Sequence, residues 1–289
     1  MTVKLGQALQ DTVKQLRAAG VEAARLEAEL LLMRITGLSR AQLWTREETV
    51  LSPVQRQALT ELVAARCQRR PLAYVLGEKE FMGLAFRVTP AVLIPRPETE
   101  LLVERIVADL SDHPAPWIAD VGTGSGAIAV SLAVLLPRAR LWATDYSGEA
   151  LTVARLNACR HRVTIRCSWQ QGDLLGQWQA TLTERLDWVA ANLPYIPRGE
   201  LGQLQPEVQF EPRLALDGGE DGLDLYRRLL PQAWRALKPG GRLGMEIDCR
   251  QGAALSALCR EVGWREVEIV KDYAGLDRFV LARKPEREG

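Results

Sequence analysis

Histidine is almost missing from this chain: two in 289 residues, His113 and His161, far apart and near no cluster of carboxylates. That leaves no foundation for a Ser-His pair or an imidazole-bound metal, because both need the ring beside its partners. Cysteine offers as little. The five present (Cys67, Cys159, Cys167, Cys249, Cys259) are odd in number and contain no Cys-x-x-Cys, which points to neither a disulfide framework nor a zinc site and suits a reducing compartment. No metal is expected. Long apolar runs are lacking too. The longest, Ala127 to Leu136, is interrupted by Ser131 and falls short of the roughly 20 residues that cross a bilayer. The start, Met1-Thr2-Val3-Lys4-Leu5-Gly6-Gln7, has no continuous apolar segment, so the expectation is a cytoplasmic protein with no cleaved signal and no membrane association. Charge of one sign is missing as well: 37 Lys and Arg face 36 Asp and Glu, giving none of the basic field that drives non-specific nucleic-acid binding.

What is present is an ordinary globular composition, 47% apolar and 25% charged, in a length that suggests roughly two domains at about 150 residues each. Residues 1–77 carry 11 Lys and Arg against 7 Asp and Glu, a net +4 that leaves −3 for the rest. This is either a solvated face or a docking surface for an anionic partner. Helical periodicity runs through the front. Leu26, Leu30 and Met33 fall at i, i+4 and i+7, and Leu59, Leu62, Val63 and Arg66 continue a stripe behind Ser52-Pro53. Ser52 is the expected N-cap, with Gln55 completing a capping box. Residues 1–76 therefore read as a small all-helical domain for substrate recognition. Residues 77–95 read as a linker built on a β-hairpin that turns at Gly83, and residues 96–289 as the catalytic domain.

From Trp117 strands and helices alternate, predicting an α/β fold with a mostly parallel sheet. The predicted strands are Trp117 to Val121, Arg140 to Thr144, Val163 to Cys167, Leu186 to Ala191, Arg242 to Ile247, Val267 to Val270 and Arg278 to Leu281. Residues 197–220 form one long loop, of the kind more often functional than idle.

Four candidate pieces fall at the carboxyl ends of the first four strands, where open α/β sheets bind ligands. Asp120-Val121-Gly122-Thr123-Gly124-Ser125-Gly126 opens an apolar helix with glycines that admit a ligand close to the backbone; its spacing also satisfies the dinucleotide pattern, so NAD-dependent oxidoreduction stays open. Asp145, 19 residues after Gly126, is placed to grip a ribose diol or else to cap the next helix. Asp173, followed by Leu174, is placed to meet an adenine edge or else to close an Asx turn. Asn192-Leu193-Pro194-Tyr195 ends the fourth strand. An amide side chain, a free carbonyl and an aromatic face there can hold a flat NH2-bearing group by its two hydrogens and its plane. Arg96, between Pro95 and Pro97, is either aimed at the site or part of a stiff linker.

The chain resembles the HemK/PrmC family of peptide chain release factor N5-glutamine methyltransferases. The matching pieces are Pro71-Leu72-Ala73-Tyr74-Val75-Leu76-Gly77, Ile94-Pro95-Arg96-Pro97-Glu98-Thr99-Glu100, Asp120 to Gly126, Asn192 to Ile196, Glu211-Pro212-Arg213-Leu214-Ala215-Leu216 with Asp217-Gly218-Gly219, and Gly240-Gly241-Arg242. The resemblance implies a Rossmann-like methyltransferase domain and S-adenosyl-L-methionine as methyl donor, held by Gly122 to Gly126, Asp145, Asp173, Leu174 and Asn192. It implies as partners the class 1 release factors, methylated on the glutamine of their Gly-Gly-Gln motif. Asn192, Leu193, Pro194 and Tyr195 would be catalytic, with Arg96 joining them in substrate binding. No direct nucleic-acid partner is expected, and a monomer is. The family's usual tetrapeptide is Asn-Pro-Pro-Tyr; Leu193 departs from it, although a carbonyl survives that exchange. Asp248 in Glu246-Ile247-Asp248 is a second departure, where Gly is more usual. Two rivals remain: adenine N6 methyltransferases, which hold an exocyclic amine with the same tetrapeptide, and a non-catalytic cofactor-binding protein.

Overall fold

The computed structural model describes residues 2–287. The chain divides into two units, Met1–Glu78 with Gln205–Phe210, and Lys79–Leu204 with Glu211–Gly289.

The first unit is helical, with helices at Leu5–Ala18, Ala24–Thr36, Arg40–Thr45, Pro53–Cys67 and Leu72–Leu76. The Ser52 capping box is present: Ser52 Oγ accepts from the Gln55 N–H, and Gln55 Oε1 accepts from the Ser52 N–H. A second box, Ser39 with Gln42, starts the third helix. The stripe expected on Ala24–Thr36 is corrected. Leu26 is 46% exposed, while Ala24, Ala28, Leu31 and Leu32 are buried. Leucines occur nearly all round this helix, so periodicity alone did not choose a face; the small Ala24 and Ala28 did, by letting neighbouring helices approach. Within the same unit, Glu207 receives Arg69 Nε at 2.7 Å and Arg66 Nη2 at 3.1 Å, and Arg66 Nε also reaches Glu27 at 2.5 Å. Six residues of the long loop are thereby tied into the helical unit.

The hairpin comprises β1 (Glu78–Phe81) and β2 (Leu84–Arg87). Its turn residues Met82 and Gly83 both have positive φ, 53° and 69°, the twist that matches right-handed strands.

Seven further strands form one sheet: β3 (Trp117–Val121), β4 (Arg140–Asp145), β5 (Cys167–Gln171), β6 (Leu186–Ala191), β7 (Leu237–Glu246), β8 (Arg265–Lys271) and β9 (Asp277–Arg283), in the order β5-β4-β3-β6-β7-β9-β8. The first five are mutually parallel; β9 is antiparallel to β7, and β8 to β9. Successive residues of the central strands serve opposite layers. Ala119, Val121, Val189 and Ala191 join one core cluster, and Ile118, Trp188 and Ala190 the other. Burial on both faces explains why these strands read as apolar runs without polar alternation.

The third predicted strand is corrected. Thr164–Arg166 is a 3-10 turn with Ile165 96% exposed, and the strand runs Cys167–Gln171 instead. It is an edge strand bearing Ser168, Gln170 and Gln171, so its apolar signal is weak, whereas the preceding turn carries two β-branched residues on its surface. The fifth predicted strand begins earlier, at Leu237. Residues 197–220 contain three 3-10 turns, and their ends are pinned: the Ile196 N–H donates to the Leu216 carbonyl at 3.1 Å and the Gly218 N–H to the Ile196 carbonyl at 2.9 Å.

Candidate active site

Strand order reverses beside β3, with β4 on one side and β6 on the other, and a cavity of about 750 Å³ opens there, beyond the carboxyl ends of β3, β4 and β6. A switch point of this kind is where a doubly wound sheet leaves room for a ligand.

The loop after β3 is held almost wholly by its own neighbourhood. The Gly122 and Thr123 N–H groups both donate to the Thr144 carbonyl at 2.9 Å, and Thr123 Oγ1 donates to Asp120 Oδ2 at 2.6 Å. Asp120 Oδ2 also accepts from the Ala129 N–H at 3.0 Å, while Oδ1, fully buried, has no partner. Burial lifts the Asp120 carboxyl to about 6. Gly122, Gly124 and Gly126 have φ of 74°, 54° and 80°, a region closed to most side chains. A Cβ on Gly122 would lie 2.8 Å from Leu193 Cδ2, whereas one on Gly124 would meet open space. That open space is a cradle a ligand can enter. Ser125 is buried, and its carbonyl accepts from Asn157 Nδ2 at 2.8 Å.

Asp145, ending β4, accepts from the Gly124 N–H through Oδ2 and from the Ser147 N–H through Oδ1, each at 2.8 Å. Asp145 does not cap the next helix, which Ser147 starts by accepting from the Ala150 N–H. It organises the loop and the next turn, and each oxygen keeps lone pairs toward the cavity. Burial raises its pKa against the pull of those N–H groups. Asp173, on the cavity wall, is ion-paired with Arg228, both side chains half-exposed. Leu174 is buried with φ 53°.

On the other wall, Asn192 leaves β6 with its Nδ2 donating to Thr99 Oγ1 at 3.1 Å, and Thr99 Oγ1 donates to Glu246 Oε2 at 2.5 Å. Tyr195 OH lies 3.4 Å from Glu246 Oε1. Leu193 buries its side chain against Gly122 and shows its carbonyl to Tyr226 OH at 3.3 Å; that hydroxyl also bonds the Glu246 carbonyl. The Tyr195 carbonyl accepts from Gln251 Nε2 at 2.9 Å. Gly218, in Asp217-Gly218-Gly219, lies so close to this segment that a Cβ would stand 2.7 Å from the Pro194 carbonyl oxygen. Burial pushes the Tyr195 and Tyr226 phenols up, keeping them protonated donors. Arg96 lines the cavity but is not free: Nη2 is 2.6 Å from Glu211 Oε1, and Glu211 Oε2 accepts from the Ile94 N–H at 3.0 Å. The arginine thus ties the turn before the helix Glu100–Leu110 to the long loop.

Of the site residues expected from sequence, Arg96, Gly122 to Ser125, Asp145, Asp173, Leu174 and Asn192 to Pro194 line this cavity, whereas Gly126 packs toward Ala154 and Trp169 and Tyr195 turns its hydroxyl to Glu246. Missed were Thr99, Glu246, Tyr226, Gln251, Glu211 and Arg228. Thr99, Glu211 and Glu246 stood inside quoted segments but carried no assigned role; the others gave no local signal.

Two family models match: the PrmC N-terminal domain over residues 7–77 and the methyltransferase small domain over residues 97–202. The release factor glutamine methyltransferase of Moorella thermoacetica is 48% identical over 283 residues, covering 98% of this chain and 99% of its own. The chain belongs to the release factor glutamine methyltransferase family. The family's enzyme from Koribacter versatilis is 40% identical, covering 99% of both chains. Among solved structures, a methyltransferase from Pyrococcus furiosus superimposes with a TM-score of 0.51 at 18% identity, covering 81% of this chain and all of that one, a likeness of fold. The chain is accordingly an S-adenosylmethionine-dependent methyltransferase. The open cradle at Gly124 and the spare lone pairs of Asp145, both on the cavity wall, suit that cofactor's close backbone approach and its hydroxyl donors. Among the described residues no group of His, Cys, Asp and Glu could hold a metal ion, and no helix is long and apolar enough to cross a membrane.

Proposed function

We propose that this chain methylates the side-chain nitrogen, N5, of the glutamine in the Gly-Gly-Gln motif of class 1 peptide chain release factors, acting as a monomer in the cytoplasm. The observation that carries this reading is the direction of the hydrogen bond at Asn192. Its NH2 is engaged by Thr99, which leaves Oδ1 as an acceptor at the cavity. With the Leu193 carbonyl beside it, the wall offers two acceptors, and a primary amide brings two N–H donors.

S-adenosylmethionine supplies an electrophilic methyl on a positively charged sulfur. Gly122 to Gly126 and Asp145 would hold it at the β3 and β4 ends, with Asp173, Leu174 and Asn192 completing its pocket. A primary amide is a feeble nucleophile because its lone pair is delocalised into the carbonyl, so placement must contribute much of the rate; oriented reactions gain roughly 7 to 11 kcal/mol that way. Asn192 Oδ1 and the Leu193 carbonyl would fix the NH2 group, and Tyr195 with Pro194 would pack on its plane. The new nitrogen–carbon bond would form as the methyl–sulfur bond breaks and its electron pair returns to sulfur, so the positive charge would pass to the nitrogen, whose proton would leave to Asn192 Oδ1 or to water. Arg96, held by Glu211, positions the neighbouring loop more than it reaches the amide. Residues 1–77, net +4, would recognise the protein substrate.

The test follows labelled methyl from the cofactor to purified release factor, to the same factor with its Gly-Gly-Gln glutamine replaced by alanine, and to duplex DNA. Label on the intact factor alone supports the reading. Label on DNA replaces it with adenine methylation.

A further inference from the structure

We propose that Thr99 and Glu246 are positioning residues that fix which way round the Asn192 amide sits, so that its oxygen and not its NH2 meets the substrate. This rests on the reading of Asn192 as the group that holds the acceptor amide. A carboxamide is nearly symmetric in shape, so packing alone cannot distinguish its two flips. The wrong flip would oppose two donors to the substrate's two donors. Something polar must decide between them, and two residues far from Asn192 in sequence do so here.

The turn Pro97–Thr99 places Thr99 Oγ1 3.1 Å from Asn192 Nδ2, and β7 places Glu246 Oε2 2.5 Å from the same hydroxyl. Because β6 and β7 pair with Ala191 opposite Met245, Glu246 emerges beside Asn192 at the strand ends. The hydroxyl has one proton. Given to Glu246, it leaves the oxygen as an acceptor, so only the Asn192 NH2 can face it. Thr99 and Glu246 are 4% and 1% exposed, which denies bulk water the chance to satisfy the other flip. Glu246 also holds Tyr195 OH, through its second oxygen. One buried carboxylate thus orders two side chains of the tetrapeptide.

The direction of the chain depends on the charge of Glu246. Arg278 on β9 favours the ionised form, Glu98 opposes it, and Tyr195 OH donates to it, while Tyr226 OH donates to its backbone carbonyl. Burial outweighs these and lifts the carboxyl to about 7. Once protonated, Glu246 donates to Thr99. The Thr99 proton is then released toward Asn192, which must offer its oxygen instead, and the amide is reversed. Turnover should therefore fall on the acid side of neutrality.

The experiment measures kcat and both KM values of the full-length chain on release factor across pH, for the wild type, Thr99→Val, Thr99→Ser and Glu246→Gln. Loss of one hydrogen bond of about 1.4 kcal/mol corresponds to roughly tenfold, so Thr99→Val should lower kcat about tenfold or more with cofactor KM little changed, and Thr99→Ser should restore it. Glu246→Gln, unable to ionise, should lose the acid-side fall. Wild-type kcat in Thr99→Val, equal impairment in Thr99→Ser, or an unaltered pH profile in Glu246→Gln would overturn the proposal. A second readout needs no substrate: the side-chain amide resonance of Asn192, assigned by its loss in Asn192→Ala, should move in Thr99→Val and should titrate in the wild type. If the wild type methylates no release factor, the functional reading fails, and this resonance still decides the orientation. A resonance that ignores both Thr99→Val and pH sinks it.

Discussion

The two walls of the cavity are built by different means. The wall after β3 is made of backbone N–H groups and the short side chains that accept from them, and its bonds run between Asp120, Gly122, Thr123, Gly124, Ala129, Thr144 and Asp145. The wall after β6 is made of side chains held from a distance: Thr99, 93 residues before Asn192, and Glu246, Tyr226 and Gln251 well after it. The first wall is specified by a contiguous motif and its neighbouring strand, the second by the fold as a whole. A ligand recognised through its backbone-facing parts suits the first. An acceptor whose nitrogen must be turned to a particular direction needs the second.

The comparison predicts that damage to the two walls separates in the kinetics. Asn192→Ala removes the proposed acceptor of the substrate amide, and loss of such an oriented contact in a dry site costs about 100-fold in kcat. Cofactor affinity, measured by calorimetry, should change little; a loss of affinity as large as the loss of rate would merge the two walls into one.

A different measurement addresses the cost of burying Glu246. Its folded pKa, about 7, lies above the ordinary glutamate value of 4.5, so the folded state binds more protons between those values. The stability from this group is present below pH 4.5 and is lost as pH rises through about 7, an order of 3 kcal/mol over the window at 1.36 kcal/mol per pKa unit. Asp120, raised to about 6 in the same direction, adds to it. Thermal unfolding should show Glu246→Gln flattening part of that decline; an unchanged slope would mean the carboxyl is not raised.

Asp145→Asn damages the first wall. It keeps the shape but turns one acceptor oxygen into a donor facing an N–H, so cofactor Kd should rise about tenfold for the loss of roughly 1.4 kcal/mol. Turnover at saturating cofactor should stay within reach of the wild type, and a collapse of kcat instead would show that Asp145 also governs the acceptor side. The smallest effect is expected for Leu193→Pro. The carbonyl is kept and the loop stiffened, while the packing of Leu193 on Gly122 is thinned; opposing changes of about 1 kcal/mol each leave activity within about fivefold. A large gain would show that the leucine is a defect, a large loss that its packing sets the position of Gly122.

The same contrast decides what was legible in the sequence. Asp120 to Gly126 was readable because glycine spacing and strand length are local properties. Asn192 to Tyr195 could be recognised as a strand emptying into a loop, but its supports could not, since nothing near Glu246 in sequence announces that β7 brings it beside Asn192. Arg96 looked available between two prolines, and only the long loop's Glu211 shows it engaged. In the fold, strands buried on both faces were found readily. The buried face of the helix Ala24–Thr36 and the position of the edge strand β5 were misread, because a leucine-rich helix hides its buried face and a polar edge strand hides its bounds.

The most direct test of the central claim, that the β6 wall presents an amide nitrogen to the methyl donor, is the chemistry of the product. Release factor labelled by this enzyme is hydrolysed in strong acid, which cleaves the side-chain amide. Label leaving as methylamine is the predicted result, since the methyl then sits on the amide nitrogen. Label leaving as methanol, or staying on an amino acid, would place the methyl on a carboxyl oxygen or on an atom outside any side-chain amide and contradict the assignment of Asn192 and Leu193.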